Sequence, residues 1–216
     1  MDKLNVSALV VQIGGLGATY PSFVADNADL RFTLDTAAHE WLHQYLFFKP
    51  LGFRYVLDLL GISKNYDIDT INETVASMFG NEIGTQIYDR YYSQYEISSS
   101  IDTSQQEAPA FDYNAAMRGI RKNVDDYLAK SQIELAEKYM NGQQQFLASK
   151  GYYLRKLNQA YFAFYGTYAD NPTSIDPIGE QVRLLRTHSR SIKDFIDTAS
   201  GLKNSQDLNQ IVSRYR

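Results

Sequence analysis

The sequence predicts an α+β fold that is mostly helical, with a small amino-terminal sheet or edge strand and a helical carboxy-terminal part. Three observations lead there. Apolar residues recur with helical period over much of the chain after position 30. A short β-branched run over 6–13 precedes them and ends in a glycine-rich break, Gly14-Gly15-Leu16-Gly17. The 216 residues, 44% of them hydrophobic, are enough to bury one sizeable core. The expected organisation is a core over 1–92, a polar loop over 93–111 and a helical part over 112–216 that completes a cleft, all within one domain.

Taken in order, 6–13 reads as a strand followed by a turn. The stretch 30–48 reads as one amphipathic helix, and 51–69 as a loop. A second helix is expected over 69–79, with Asp69 or Thr70 as its N-cap and Ile71, Val75, Met78 and Phe79 on its apolar face. Gly80 and Gly84 stand at a spacing that lets another helix come close. The Ser-rich and Gln-rich stretch 93–109 reads as a mobile loop dividing the chain, a connector or a lid. Positions 113–148 read as a long helix or helical hairpin broken near Asn141-Gly142. Five of the 17 tyrosines fall in 151–169, read as one aromatic helix that is buried or lines a cleft. Helices over 179–187 and 191–199 follow, and the polar tail from Lys203 is expected to fray.

Composition excludes several functions. A formal net charge of −4 gives no support for nucleic-acid binding. No apolar run approaches a membrane span, and no charged start with a hydrophobic core suggests a signal peptide. With no cysteine, disulfides and thiolate ligands are unavailable. Met1-Asp2-Lys3 leads almost at once into the expected strand, as in a domain excised from a longer, membrane-tethered protein whose anchor would lie outside this chain.

The most informative residues are His39-Glu40-Trp41-Leu42-His43. Histidines four apart lie on one helix face, so both imidazoles can point a nitrogen at one zinc ion, with Glu40 on the neighbouring line of the helix to take a proton from water. Two of the chain's three histidines are spent here. A third ligand decides the kind of site. Leu46 and Lys49 rule out the continuation with Gly and His at those places. Glu73, on or beside the apolar face of the second helix, is an expensive carboxylate to bury unless a metal compensates it. Glu82 is its rival, but nine positions at 100° each put the two about 180° apart, so only one can face the ion. A di-iron site needs a second Glu-x-x-His, and the remaining histidine, His188, follows Leu185; it reads as a helix-end residue.

His39, Glu40, His43, Asn72 and Glu73 together resemble the gluzincin metallopeptidases, in which H-E-x-x-H on one helix is completed by a Glu, typically in an Asn-Glu pair, on a later helix. The resemblance implies a zincin-like domain that hydrolyses peptide bonds with Zn2+, with His39, His43 and Glu73 as ligands and Glu40 as general base. It implies a peptide or protein substrate laid along an edge strand, for which 6–13 and its glycines are at the matching place in chain order. It also implies a later His or Tyr hydroxyl at the oxyanion: Tyr161, Tyr165 and Tyr168 are the candidates, Tyr165 and Tyr161 preferred because they precede Gly166. The chain departs from the family at Ser77, where an Asp orienting a zinc histidine is usual; Asp35, one turn before His39, is either its substitute or a solvent-facing first-turn acid. The alternatives are an inactive binding module of the same shape and a structural helical protein with a coincidental motif.

Overall fold

The computed structural model describes residues 7–11, 15–16, 23–24, 29–95 and 111–215. Most of the Ser-rich stretch 93–109 lies outside the described residues, as do the first residues of the expected strand and most of its glycine-rich break.

The expected α+β class is overturned. Among the described residues the chain is helical, with nine α-helices, and no strand exceeds two residues. β1 (Gly15–Leu16) and β2 (Phe23–Val24) pair antiparallel, Gly15 opposite Val24 and Leu16 opposite Phe23, which is a bridge and not a sheet layer. Residues 7–11 form no strand. Their polar atoms are taken up elsewhere: Asn158 Nδ2 donates to the Ala8 carbonyl at 2.9 Å, and the Ala160 N–H to Ser7 Oγ at 3.1 Å. A short β-branched run becomes a strand only where another strand meets its ladder, and none does here.

The chain divides into two compact units. One comprises Gln12–Ile97, Thr167–Asn171 and Asp176–Arg216. In it, α1 (Leu30–Leu46) starts where the Asp29 carboxylate accepts the Phe32 N–H at 2.9 Å. α2 (Pro50–Leu59) occupies the stretch expected to be a loop. Its start signal is Pro50 at the first helical position, where the missing N–H is no loss. Gly52 permits the tight reversal from α1, because a Cβ there would overlap the Leu46 carbonyl. α3 (Tyr66–Tyr91) begins earlier than expected, capped by Asn65 in place of Asp69 or Thr70, and runs through both glycines without a break. α7 (Pro177–His188), α8 (Ile192–Ser200) and α9 (Ser205–Val212) are capped by Asp176, Ser191 and Asn204. The tail does not fray, since Leu208 and Val212 are buried with Leu42, Ile71, Val182 and Phe195 in this unit's core.

The other unit comprises Met1–Val11, Ser98–Gly166 and Pro172–Ile175. Its helices are α4 (Tyr113–Ala129), α5 (Ile133–Ser149) and α6 (Gln159–Gly166), with a core of Met117, Ile120, Val124, Met140 and Leu147. The hairpin breaks at Ser131, the one described non-glycine residue with positive φ (57°), and Asn141-Gly142 lies inside α5. Only 159–166 of the expected aromatic helix is helical. Gly151, at φ 89°, turns the chain out of α5, and Asn158 then caps α6 by accepting the Tyr161 N–H at 2.9 Å.

Candidate metal centre

α1 and α3 pack antiparallel, with Asp35 against Gly84, His39 against Gly80 and His43 beside Glu73. The contact is too close for side chains on the α3 side. A Cβ on Gly80 would stand 2.6 Å from the Asp35 carbonyl oxygen, and one on Gly84 would overlap the Asp35 carboxylate. Asp35 therefore lies level with Gly80 and Gly84, about two to three helical turns of α3 from Glu73.

The close crossing brings three donor atoms together. His39 Nε2 stands 3.0 Å from His43 Nε2, and Glu73 Oε2 is 3.4 Å from the first and 3.6 Å from the second. Donors bonded at 2.0–2.1 Å in a tetrahedral array stand about 3.4 Å apart. These three side chains can hold a metal ion. Glu73 Oε2 is buried and faces the two imidazole nitrogens. An anionic oxygen in that condition is costly unless a cation meets it.

Electrostatics at the centre run against burial. Burial pushes the Glu73 carboxyl up, but hydrogen bonding to His39 and His43 and their charge outweigh it and hold it well below the usual carboxylate range. Burial pushes His43 down, and Glu73 and then Glu40 overcome that and raise it above an ordinary histidine. Glu40 is itself buried, close enough for its charge to act on His43 and on Tyr168.

Two tyrosines flank the ligands. The Tyr55 hydroxyl donates to Glu73 Oε1 at 2.5 Å and its ring stacks on His43, centroids 5.5 Å apart and planes within 14°. That leaves Oε2 as the oxygen turned toward the histidines. On the other side, the Tyr168 ring is 6.2 Å from His39 and its hydroxyl hydrogen-bonds Glu73. Burial, and then the Glu73 charge, raise both phenols above their usual range, so both remain donors.

α3 itself positions Tyr168. The Ala169 N–H donates to Thr74 Oγ1 at 3.0 Å, and Thr74 Oγ1 donates to the Thr167 carbonyl at 3.3 Å. One turn on, Ser77 Oγ donates to Asp170 Oδ2 at 2.7 Å. Ser77, at the place where the resemblance leads one to expect an acid, thus recruits a carboxylate from a later segment. Burial raises the Asp170 carboxyl, and it lies near enough to His39 to feel its charge.

Other residues singled out from the sequence fall elsewhere. Glu82 is bound bidentately by Arg186, at 2.7 and 2.6 Å. His188 closes α7, with Nδ1 3.0 Å from the Leu184 carbonyl and its ring stacked on Tyr215. Tyr161 and Tyr165 belong to the other unit, where they pack on each other at 4.5 Å and Tyr161 hydrogen-bonds Tyr113. Tyr168 belongs to the same unit as the ligands and stands beside them. Tyr55 and Asp170 had no signal of their own in the sequence: Tyr55 lies in a helix read as a loop, and Asp170 acts across 93 positions from Ser77.

Comparison with protein-family models, with curated proteins and with solved structures finds no match. What can be said of this site comes from its geometry.

Proposed function

We infer that the chain is a zinc-dependent peptidase, acting through a water that Glu40 deprotonates. The observation that carries this reading is the triangle of His39 Nε2, His43 Nε2 and Glu73 Oε2, with edges of 3.0, 3.4 and 3.6 Å beside a buried Glu40. Two imidazoles and one carboxylate are a donor set of catalytic zinc, with one position left for chemistry. Donors on one face of an octahedron would stand about 3.0 Å apart, which the His39–His43 edge matches, while the two edges to Glu73 lie nearer the tetrahedral spacing.

Zinc at such a site supplies Lewis acidity, which acidifies water and polarises a carbonyl. The chain's own groups do the rest. Glu40 accepts the proton from the attacking water and passes it to the departing amine. The Tyr168 hydroxyl, kept protonated by its burial, exchanges its hydrogen bond to Glu73 for one to the oxygen that gains negative charge when the amide carbonyl is attacked. Tyr55 holds Glu73 Oε1, fixing which oxygen of that carboxylate is presented.

The test is hydrolysis of a mixed peptide pool by zinc-loaded protein beside Glu40→Gln. Turnover falling roughly 10²–10⁴-fold in the variant, with zinc content unchanged, is the expected result. Zinc bound without turnover in the parent protein, or equal turnover in the variant, refutes the peptidase reading.

A further inference from the structure

α2 is turned inside out with respect to charge. Its acid, Asp58, is 3% exposed and is met by Lys64 Nζ at 3.3 Å and the Asn65 N–H at 2.6 Å. Leu51 and Tyr55 go to the core on the same side as Asp58, while the opposite side shows Phe53 at 55% and Leu60, just past the helix end, at 67% exposure. Pro50, Phe53, Leu57 and Leu60 follow helical spacing along one side, and Phe48, 86% exposed, stands just before the helix. A helix that hides its carboxylate and shows its phenylalanine is shaped for something other than water.

The rim of this face is basic. Arg54 and Lys203 share with Pro50, Phe53 and Leu57 a shallow pocket of about 270 Å³, and Lys49 stands at the start of the helix. Among the described residues no carboxylate pairs with any of these three. The nearby acids are committed: Asp197 to Lys193, and Asp207 to the backbone N–H of Lys203.

We propose that this face of α2 docks the protein on an anionic lipid bilayer, with Phe48, Phe53 and Leu60 entering the acyl boundary while Lys49, Arg54 and Lys203 meet lipid phosphates. Charge complementarity selects that occupant. A second copy joined through the same face by a two-fold axis would set one basic rim against another. The whole chain carries −4, so an anionic surface repels most of the molecule and attracts this face, which fixes the orientation of docking. No helix among the described residues is long and apolar enough to cross a membrane, and docking of this kind lies in the interface without crossing. The proposal makes no use of the metal centre.

Flotation of the purified chain with vesicles tests it. Vesicles of phosphatidylcholine alone are compared with vesicles containing about one third phosphatidylserine, at rising salt. The expected result is binding to the anionic vesicles only, weakening as salt rises. Arg54→Gln and Lys203→Gln should each lower partitioning ~5-fold, and Phe53→Ser by ~10-fold, with circular dichroism and zinc content unchanged in all three. Absence of binding to anionic vesicles overturns the proposal, as does binding that none of the variants weakens. A concentration-dependent dimer abolished by Phe53→Ser, with no vesicle binding, would give the face to a second copy instead.

Discussion

Along α4, Met117, Ile120 and Val124 are buried and the residues between them are half-exposed or exposed. Along α3, by contrast, every residue from 70 to 76 is buried, and Thr70, Asn72, Glu73 and Thr74 among them are polar. α4 buries one apolar stripe and leaves its charges in water, the ordinary way for a helix to join a core. α3 carries polar groups into the interior on several sides at once. Thr70 Oγ1 and Asn72 Nδ2 are buried there with no hydrogen-bond partner, at about 1–3 kcal/mol for each group left unmade, and Glu73 carries a carboxylate into the same interior. A metal ion held by Glu73 would recover part of that cost.

Breaking each helix in turn separates the two roles. Glu73→Ala and His43→Ala should lower metal affinity by more than the ~10–100-fold that outer partners are worth, as read by competition with a chelating dye. Met117→Ala in α4 should cost about 2–5 kcal/mol in denaturant unfolding and leave metal affinity alone. Equal metal loss in both classes would erase the distinction.

A smaller change sharpens it. Tyr55→Phe keeps the ring that stacks on His43 and removes the hydroxyl that holds Glu73 Oε1. Metal affinity should fall ~10–100-fold while helix content is preserved. Unaltered affinity would leave Tyr55 as packing alone.

The pH dependence should differ in sign with and without metal. In the metal-free protein His43 is raised and Glu73 lowered, so their mutual stabilisation is complete between about pH 4.5 and 6.5, the ordinary values of the two groups. It declines as pH rises through the raised value of His43 and as pH falls toward the lowered value of Glu73. Metal binding needs neutral imidazoles and releases protons, so the extra thermal stability conferred by zinc should grow as pH rises above 6.5. Melting curves with zinc and with chelator across this range check the divergence; parallel curves would contradict it.

The smallest effect concerns Asp69, one turn before Glu73. Burial, and then hydrogen bonding to Asp58 and its charge, push it up to about 7. A carboxyl raised on folding is neutral in both states below its ordinary value of 3.8, and penalises the folded state increasingly from there up to its raised value and in full above it. Asp69→Asn should therefore raise the melting temperature at pH 8 and leave it unchanged at about pH 2–3.

Much of this centre was legible because it is local. His39, Glu40 and His43 lie within five positions, and a helix of known pitch sets their geometry. Glu73 was legible as an acid in an apolar helix, and Gly80 and Gly84 as a place of close approach. What escaped depended on contacts distant in sequence. The run over 6–13 was misread as a strand because a ladder needs a partner that periodicity cannot supply. α2 was misread as a loop even though Pro50 marks its start, because it has apolar residues on both its buried and its exposed sides and turns its acid inward, against the usual pattern. Tyr161 and Tyr165 were preferred over Tyr168 on their place before Gly166. Thr74, which pins the segment after that glycine to α3 and brings Tyr168 beside His39, carried no such mark in the sequence.

Whether His39, His43 and Glu73 hold zinc between α1 and α3 is tested by elemental analysis of the purified chain supplied with zinc, beside Glu73→Ala. About one zinc per chain, lost in the variant, is the predicted result. No zinc in the parent protein, or full retention in Glu73→Ala, would contradict it.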